Sequence, residues 1–423
     1  MTLAAPDIAA SIAGQAIMRR ADLLAACSES PDHLTRTYLS PQHAAANDLV
    51  LGWMQEAGMA CRLDPAGNVI GRYEGREAGL PALILGSHLD TVRNAGRYDG
   101  MLGVITAIAC VEALHERGER PGFAIEVVGF GDEEGVRFQS TLLGSRALAG
   151  RFDLALLERR DAEGVSMAQA MRDFGLEPAL VRDAGRRPED VHAYVELHIE
   201  QGPVLEAEGL PLGVVTSIAG ATRLRATLTG VAGHAGTVPM AGRKDALAAA
   251  AEAILAVERI CGDSAELVGT VGWLEAEPGA VNVIPGEARL SIDIRAAADA
   301  PRLRAVEAVR AAISEIGARR GVEVALERLH ESPSCPCAPW LIAQLSEAVA
   351  GEGLAVRHLP SGAGHDAMAM AELTEVGMLF VRCKDGISHH PAESITPEDA
   401  AAGARALLQF IRAFDPSTRD GRA

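Results

Sequence analysis

Hydrophobic and polar positions follow two distinct styles along the chain. In the first half, short apolar runs bounded by glycine or charged residues alternate with helical stretches, and the clearest runs span 82–85, 124–130 and 193–197. Strands that alternate with helices predict a mostly parallel sheet with helices on both faces. The same style returns after residue 333, with predicted elements at 340–350 (helix), 377–381 (strand) and 397–414 (helix).

The middle of the chain has another order of elements. Between residues 214 and 331 it reads strand, helix, strand, strand, helix, strand, at 223–230, 245–260, 266–273, 288–295, 302–316 and 322–326. This order is typical of a ferredoxin-like βαββαβ unit. We therefore predict an α/β protein with a catalytic domain formed by residues 1–213 and 332–423, and an inserted domain formed by residues 214–331.

Composition narrows the class of protein. The 423 residues are 48% hydrophobic, which is enough to bury more than one core. The net charge of -18 argues against a nucleic-acid or membrane partner, because such binding needs clustered basic residues.

No apolar run is long enough to span a bilayer. Residues 1–27 lack the pattern of an export signal, and the seven scattered cysteines suit reduced thiols, so we expect a cytoplasmic protein. The pair Cys335 and Cys337 lacks the spacing of a metal site.

Imidazole and acidic side chains follow three of the predicted strands. His88 follows the first, Glu133 and Glu134 follow the second, and His198 follows the third. Catalytic groups on a parallel sheet belong at the carboxyl ends of its strands. An acidic pair alone is typical of a solvated turn. Beside histidines it has another use, because neighbours on an extended backbone point in opposite directions, so that one carboxylate can bind metal while the other faces the attacking water.

Two more residues complete a candidate site for two metal ions. Asp99 lies in the run 97–100, and His389 precedes a second histidine near the C-terminus. Asp99 would bridge the ions, His88 and His198 would complete one, and Glu134 with His389 the other.

The remaining roles follow from this ligand set. Glu133 is left to act as general base and later to protonate the leaving amine. Asp90 can hold the ring of His88 and fix its tautomer. Of the adjacent histidines we assign the metal to His389 and treat His390 as a neighbour. Imidazole with carboxylate is compatible with zinc, manganese, cobalt or nickel.

These motifs resemble the peptidase M20 superfamily, and within it the amidase, hydantoinase and carbamoylase branch, over nearly the whole chain. His198 matches this branch, since M20 peptidases often have an acidic ligand there. The runs 132–145, 230–240, 278–285 and 361–370 are similar to those of allantoate amidohydrolases. N-carbamoyl-L-amino-acid hydrolases share most of these positions, so they remain an alternative. A dipeptidase and a non-catalytic binding protein are further alternatives, disfavoured by His198 and by the presence of Glu133.

The resemblance implies a metal-dependent attack of water on a ureido carbon, in which allantoate gives ureidoglycine, ammonia and carbon dioxide. It implies two divalent ions per subunit, with manganese expected first, and a homodimer formed through the inserted domain, which also serves as a lid. It places His234 against the developing oxyanion, and it assigns substrate binding to Gln201, Asn282, Arg295, Gly364 and His365. From the residues themselves, a turn histidine and a surface arginine remain alternatives for His234 and Arg295.

Overall fold

The computed structural model describes residues 14–420, which form two compact units. The first unit contains residues 14–216, 337–359 and 364–420; the second contains Ser217–Pro336 and Pro360–Ala363. The roles of 214–331 as a lid and a dimer interface stay predictions.

Strands and helices occur along the whole of residues 14–420. The strands are β1 (Ala60–Leu63), β2 (Val69–Tyr73), β3 (Ala82–His88), β4 (Ala124–Phe130), β5 (Val191–Ile199), β6 (Leu212–Ile218), β7 (Gly220–Thr229), β8 (Gly233–His234), β9 (Leu267–Thr270), β10 (Leu274–Glu277), β11 (Val283–Ile284), β12 (Glu287–Ala296), β13 (Glu323–Ser332), β14 (Cys335–Pro336), β15 (His358–Ser361) and β16 (Val376–Val381). The α-helices are α1 (Gly14–Ala25), α2 (Pro41–Glu56), α3 (Met101–Glu116), α4 (Leu143–Leu148), α5 (Met167–Asp173), α6 (Val204–Glu208), α7 (Ala246–Gly262), α8 (Asp299–Arg320), α9 (Pro339–Gly351), α10 (Ala367–Met370) and α11 (Pro397–Ala413). Short 3-10 helices span Leu154–Glu158, Pro178–Ala184, Pro188–Asp190, Lys384–Gly386 and Pro416–Asp420.

A mainly parallel sheet forms the centre of the first unit. Its strands lie in the order β1-β2-β4-β3-β5-β16-β6, and β4, β3, β5 and β16 are parallel to their neighbours within this group. The outer pairs are antiparallel. Every residue of β3, β4 and β16 is buried, as expected for parallel strands covered on both faces. The predicted mixed α/β fold with a mainly parallel sheet is confirmed.

The direction of the strands brings the candidate site residues together at one end of this sheet. Because β3, β4 and β5 are parallel, their carboxyl ends meet there. His88 ends β3 and pairs in register with Phe130, the last residue of β4. His198 is the next-to-last residue of β5. The strands predicted over 82–85 and 193–197 are shorter than β3 and β5, so both histidines belong to their strands and not to the loops that follow, whereas β4 has the predicted bounds.

The second unit contains an antiparallel sheet with two long helices. The strands lie in the order β10-β12-β7-β13, and β9 also pairs with β12. The buried residues of β12 alternate strictly with half-buried ones, so one face of the sheet packs on α7 and α8. The strand predicted over 266–273 is too long, because β9 ends at Thr270 and residues 271–273 are irregular. Strand β10, which was not predicted, follows at Leu274 and pairs with the other half of the same edge of β12. Gly272 lies at the break, as glycines at strand irregularities often do.

Two further expectations bear on the described residues. Within residues 14–420, no helix is long and apolar enough to cross a bilayer. The expected lack of an export signal concerns a segment whose first 13 residues lie outside the described part of the chain.

Candidate metal centre

The carboxylate of Asp99 lies at the centre of the cluster. Its Oδ1 is 3.1 Å from Nε2 of His198 and 3.7 Å from Nε2 of His88. Its Oδ2 is 3.1 Å from Nε2 of His389, which in turn is 3.4 Å from Oε1 of Glu134. Each oxygen of Asp99 therefore faces its own pair of potential ligands. A carboxylate that bridges two cations has this arrangement.

The two strand-borne histidines present a fixed nitrogen to Asp99. Nδ1 of His88 is 3.0 Å from the carbonyl oxygen of Asp90, and Nδ1 of His198 is 2.9 Å from that of Ile199. Since a carbonyl oxygen only accepts, both Nδ1 atoms carry a proton, and in the neutral rings both Nε2 atoms keep a lone pair. This is the tautomer that a metal ligand needs.

Gly100 allows the close approach of the His88 ring. Its φ is +72°, in the left-handed region, and a Cβ at this position would lie 2.5 Å from three atoms of that ring. Only glycine fits both requirements. Gly100 also precedes α3 and donates its N–H to Nε2 of His198 at 3.2 Å.

The turn after β4 brings both of its glutamates to one side. The carboxylate of Asp90 accepts the backbone N–H groups of Glu133 at 2.9 Å and Glu134 at 3.2 Å, which curves the backbone around it. Carboxylate oxygens of both residues and a ring nitrogen of His88 lie within 4.8 Å of one another. The expectation that the two side chains point in opposite directions is therefore wrong, because the backbone bends here instead of staying extended. The structure also gives Asp90 a second contact beyond the predicted one with His88.

The charge balance of the cluster suits cations. Burial, and then the neighbouring Glu134, raise the pKa of Glu133 well above its usual range. Burial and Asp99 raise the pKa of Glu134 to about 7. Burial opposes ionisation of Asp99, but the neighbouring imidazoles of His198, His389 and His88 outweigh it and hold the pKa of Asp99 well below the usual range. Three carboxyl groups thus share a largely buried space, where a positive ion would favour their ionised forms.

His389 and His390 occupy different surroundings. His389 is half exposed and has a left-handed backbone with φ of +56°, and its hydrogen bond to Asp99 raises its pKa to about 9. Nδ1 of His390 instead accepts the backbone N–H of Ala392 at 3.1 Å. The candidate metal groups among residues 14–420 include His389 and neither His390 nor any cysteine.

Three more predicted residues lie around the cluster in the same unit. Nε2 of Gln201 donates to both oxygens of Asp99 at 3.2 Å. The buried ring of His365 stacks edge-on against His198 with centroids 4.5 Å apart. A Cβ on Gly364 would lie 3.8 Å from Oε1 of Glu133. The structure brings all three to the candidate metal centre.

The other three predicted residues belong to the second unit. His234 is exposed in β8, and its Nδ1 accepts the N–H of Gly236 at 3.0 Å. The carbonyl of Asn282 accepts the N–H of Ala235 at 2.9 Å. Arg295 donates two hydrogen bonds to Asp293, at 2.9 and 3.1 Å, and a third to the carbonyl of Gly362.

Sequence reasoning missed several carboxylates that shape the site. Glu196 is fully buried in β5 and accepts from Ser87, Tyr194 and the backbone of Ala367. Its oxygens are thus engaged, although it lies near His198 and His365. An acidic residue inside an apolar strand run is the signal that was available for Glu196. Glu393 lies in a loop and had no such signal.

Comparison with known proteins identifies the family. Residues 84–413 match peptidase family M20/M25/M40. The chain belongs to this family. It is 42% identical to allantoate deiminase from Arabidopsis thaliana, covering 94% of this chain and 82% of that protein. It is also 42% identical to N-carbamoyl-L-amino acid amidohydrolase from Geobacillus stearothermophilus, covering 95% and 98%.

Solved structures agree with this assignment. An amidase of the hydantoinase/carbamoylase family from Burkholderia multivorans has a TM-score of 0.90 and 35% identity, covering 95% of this chain and 98% of that one. The resemblance to the amidase and carbamoylase branch of M20 is therefore confirmed, and so is the class of enzyme. This M20 chain is a hydrolase of carbon–nitrogen bonds in non-peptide amides.

Proposed function

We propose that this M20 enzyme is a dinuclear metal amidohydrolase that hydrolyses a small ureido acid, with allantoate as the leading substrate. The products would be ureidoglycine, ammonia and carbon dioxide. The observation that carries the proposal is the position of Asp99, whose two oxygens face separate ligand pairs. A single buried salt bridge would not need a separate pair of ligands on each oxygen of Asp99.

Five residues would hold the two ions. His88 and His198 would share one ion with Asp99, and Glu134 and His389 would share the other with it. The Nδ1 hydrogen bonds of His88 and His198 support this, because they leave Nε2 free for a cation. Two divalent ions, manganese first and zinc, cobalt or nickel as alternatives, would lower the pKa of water and polarise the ureido carbonyl.

Glu133 would carry the proton during the reaction. Its carboxylate lies beside the proposed ligands Glu134 and His88, which is the position that a group which takes and returns a proton needs. It would accept a proton from the attacking water and deliver it to the nitrogen of the leaving group. Asp90 would position this base by holding the backbone N–H of Glu133.

The remaining predicted residues would bind the substrate. We assign Gln201, Gly364 and His365 to the pocket beside the metal centre, and Arg295 and Asn282 to the substrate carboxylate. His234, contributed by a partner subunit in a homodimer, would donate to the developing oxyanion. The second unit would act as lid and dimer interface, and the enzyme would work in the cytoplasm.

A substrate panel tests the proposal. Protein stripped with chelator and reloaded with each metal would be offered allantoate, ureidoglycolate, N-carbamoyl-L-amino acids and dipeptides, with release of ammonia and of amine measured separately. We expect metal-dependent ammonia release from allantoate. Hydrolysis of N-carbamoyl-L-amino acids without activity on allantoate would contradict the substrate and establish the second candidate. The Geobacillus stearothermophilus relative, equal in identity to the plant one, supports that candidate.

A further inference from the structure

Glu393 joins the two loops that carry Asp99 and His389. It is only 4% exposed. Its Oε1 accepts the backbone N–H of Tyr98 at 2.8 Å and that of Asp99 at 3.1 Å. Its Oε2 accepts the hydroxyl of Ser388 at 2.9 Å. One buried carboxylate thus binds the backbone on one side of the cluster and a side chain on the other.

Ser388 extends this connection to the carboxylate of Asp99. Its hydroxyl lies 3.3 Å from Oδ2 of Asp99, the oxygen that faces His389, and it accepts from Nε2 of Gln201 at 3.1 Å. Because Ser388 directly precedes His389, the position of Ser388 sets the position of the His389 backbone and, through it, of the His389 ring. A shift of Ser388 would therefore move both neighbours.

The side chain of Glu393 is closely packed by its neighbours. Gly96 approaches so closely that a Cβ there would overlap the carboxylate and Cβ of Glu393. His389 needs such support, because its left-handed backbone is unfavourable for a residue with a side chain. His88 and His198, in contrast, are fixed by strands and by backbone carbonyls.

We propose that Glu393 is a positioning residue that sets the distance between Asp99 and His389 and thereby the binding of the ion shared by Asp99, Glu134 and His389. The inference rests on the proposed two-metal function. Two of the three proposed ligands of that ion, Asp99 and His389, lie on loops that Glu393 connects by hydrogen bonds. His88 and His198 lie on strands that Glu393 does not contact. Removal of Glu393 therefore weakens one ion more than the other.

The test measures metal binding rather than activity. Wild type and Glu393→Ala would be titrated with Co²⁺, following visible absorption, and their bound metal counted after dialysis. We expect two ions in the wild type, and in the variant one ion kept and the other bound about 10- to 100-fold more weakly, the usual loss for a partner of metal ligands. Glu393→Gln keeps an oxygen for the two N–H groups and should recover most of the lost affinity.

Asp64→Asn is the matched control. Asp64 is also 4% exposed, accepts the backbone N–H groups of Ala66 and Asn68 with one oxygen, and accepts a side-chain donor with the other. It touches none of the proposed ligands, so both ions should bind as in the wild type.

The outcomes separate the inference from the function on which it rests. Two ions bound by Glu393→Ala with wild-type affinity would overturn the positioning role alone. A wild type that binds fewer than two ions would overturn the two-metal proposal, and the inference with it. If Glu393→Ala does not fold, Ser388→Ala takes its place with the same expected selective weakening. Unchanged binding of both ions in Ser388→Ala would then overturn the role of Glu393.

Discussion

The two sides of Asp99 are built in different ways. The Oδ1 side consists of His88 and His198, which are buried, lie at strand ends and donate Nδ1 to backbone carbonyls. The Oδ2 side consists of Glu134 and His389, which lie in loops, and half of the His389 side chain is exposed. The sheet itself places the first pair. The second pair depends on other side chains, with Asp90 holding the backbone of Glu134 and Glu393 holding the loop of His389.

This difference teaches where a metal site of this kind is vulnerable. Ligands on strands are positioned by the many contacts of the core, so single neighbours matter little. Ligands on loops are positioned by a few hydrogen bonds between distant segments. Removal of one such bond should affect the Oδ2 side first.

The largest effect is expected when the base is removed without disturbing either side. Glu133→Gln should lower turnover at least about 100-fold, the lower end of the range for general-base catalysis, and keep both ions. Steady-state kinetics and metal analysis check this. Glu134→Gln is the comparison, since it should lose metal from the Oδ2 side. Unchanged turnover in Glu133→Gln would remove Glu133 from the mechanism.

Substitution of single histidines should change the metal content on one side of Asp99 at a time. We expect His389→Asn to keep one tightly bound ion, because His88, His198 and Asp99 remain, whereas His88→Asn should weaken the ion on the Oδ1 side. His390→Asn is the control and should bind two ions, since its ring contacts Ala392. Equal metal loss in His390→Asn and His389→Asn would overturn the assignment of His389.

A methyl group at Gly100 should disturb the Oδ1 side. Gly100→Ala adds left-handed strain of about 1–2 kcal/mol and a clash with the ring of His88. Gly118→Ala is the matched control, because φ is +66° and nothing lies within 4 Å of the added Cβ. Thermal unfolding and metal affinity of both variants isolate the clash. Equal effects of the two substitutions would show that the His88 ring yields at little cost.

A histidine outside the cluster should respond to pH in the opposite direction from His389. His43 is fully buried, and burial lowers its pKa to about 4. Its contribution to stability is complete above its unfolded pKa of about 6.5 and is lost as pH falls through the folded value, by about 1.4 kcal/mol per unit. His43→Gln should flatten this acid-side decrease in chemical denaturation between pH 6.5 and 4. An identical pH slope in the variant would contradict the prediction.

Much of the fold and the set of candidate ligands followed from local patterns. Apolar runs predicted β3, β4, β5 and β16, and the rule for parallel strands placed His88 and His198 at one edge. The interrupted strand at β9 and β10 was not predicted, because its break depends on pairing with β12. The same limit applied to the turn at Glu133, whose curvature depends on the carboxylate of Asp90.

By itself, the sequence determined the types of the candidate ligands and the strands that carry two of them, because hydrophobic periodicity is a local property. Tertiary structure alone decided that the two oxygens of Asp99 have separate partners and that Glu133 and Glu134 turn to the same side. It also decided that Glu393 joins the loops that carry Asp99 and His389. The hydrogen bond from Asp99 to Glu393 spans 294 positions in the chain. Contacts over such a distance leave no periodic pattern, because packing of the whole unit brings their partners together.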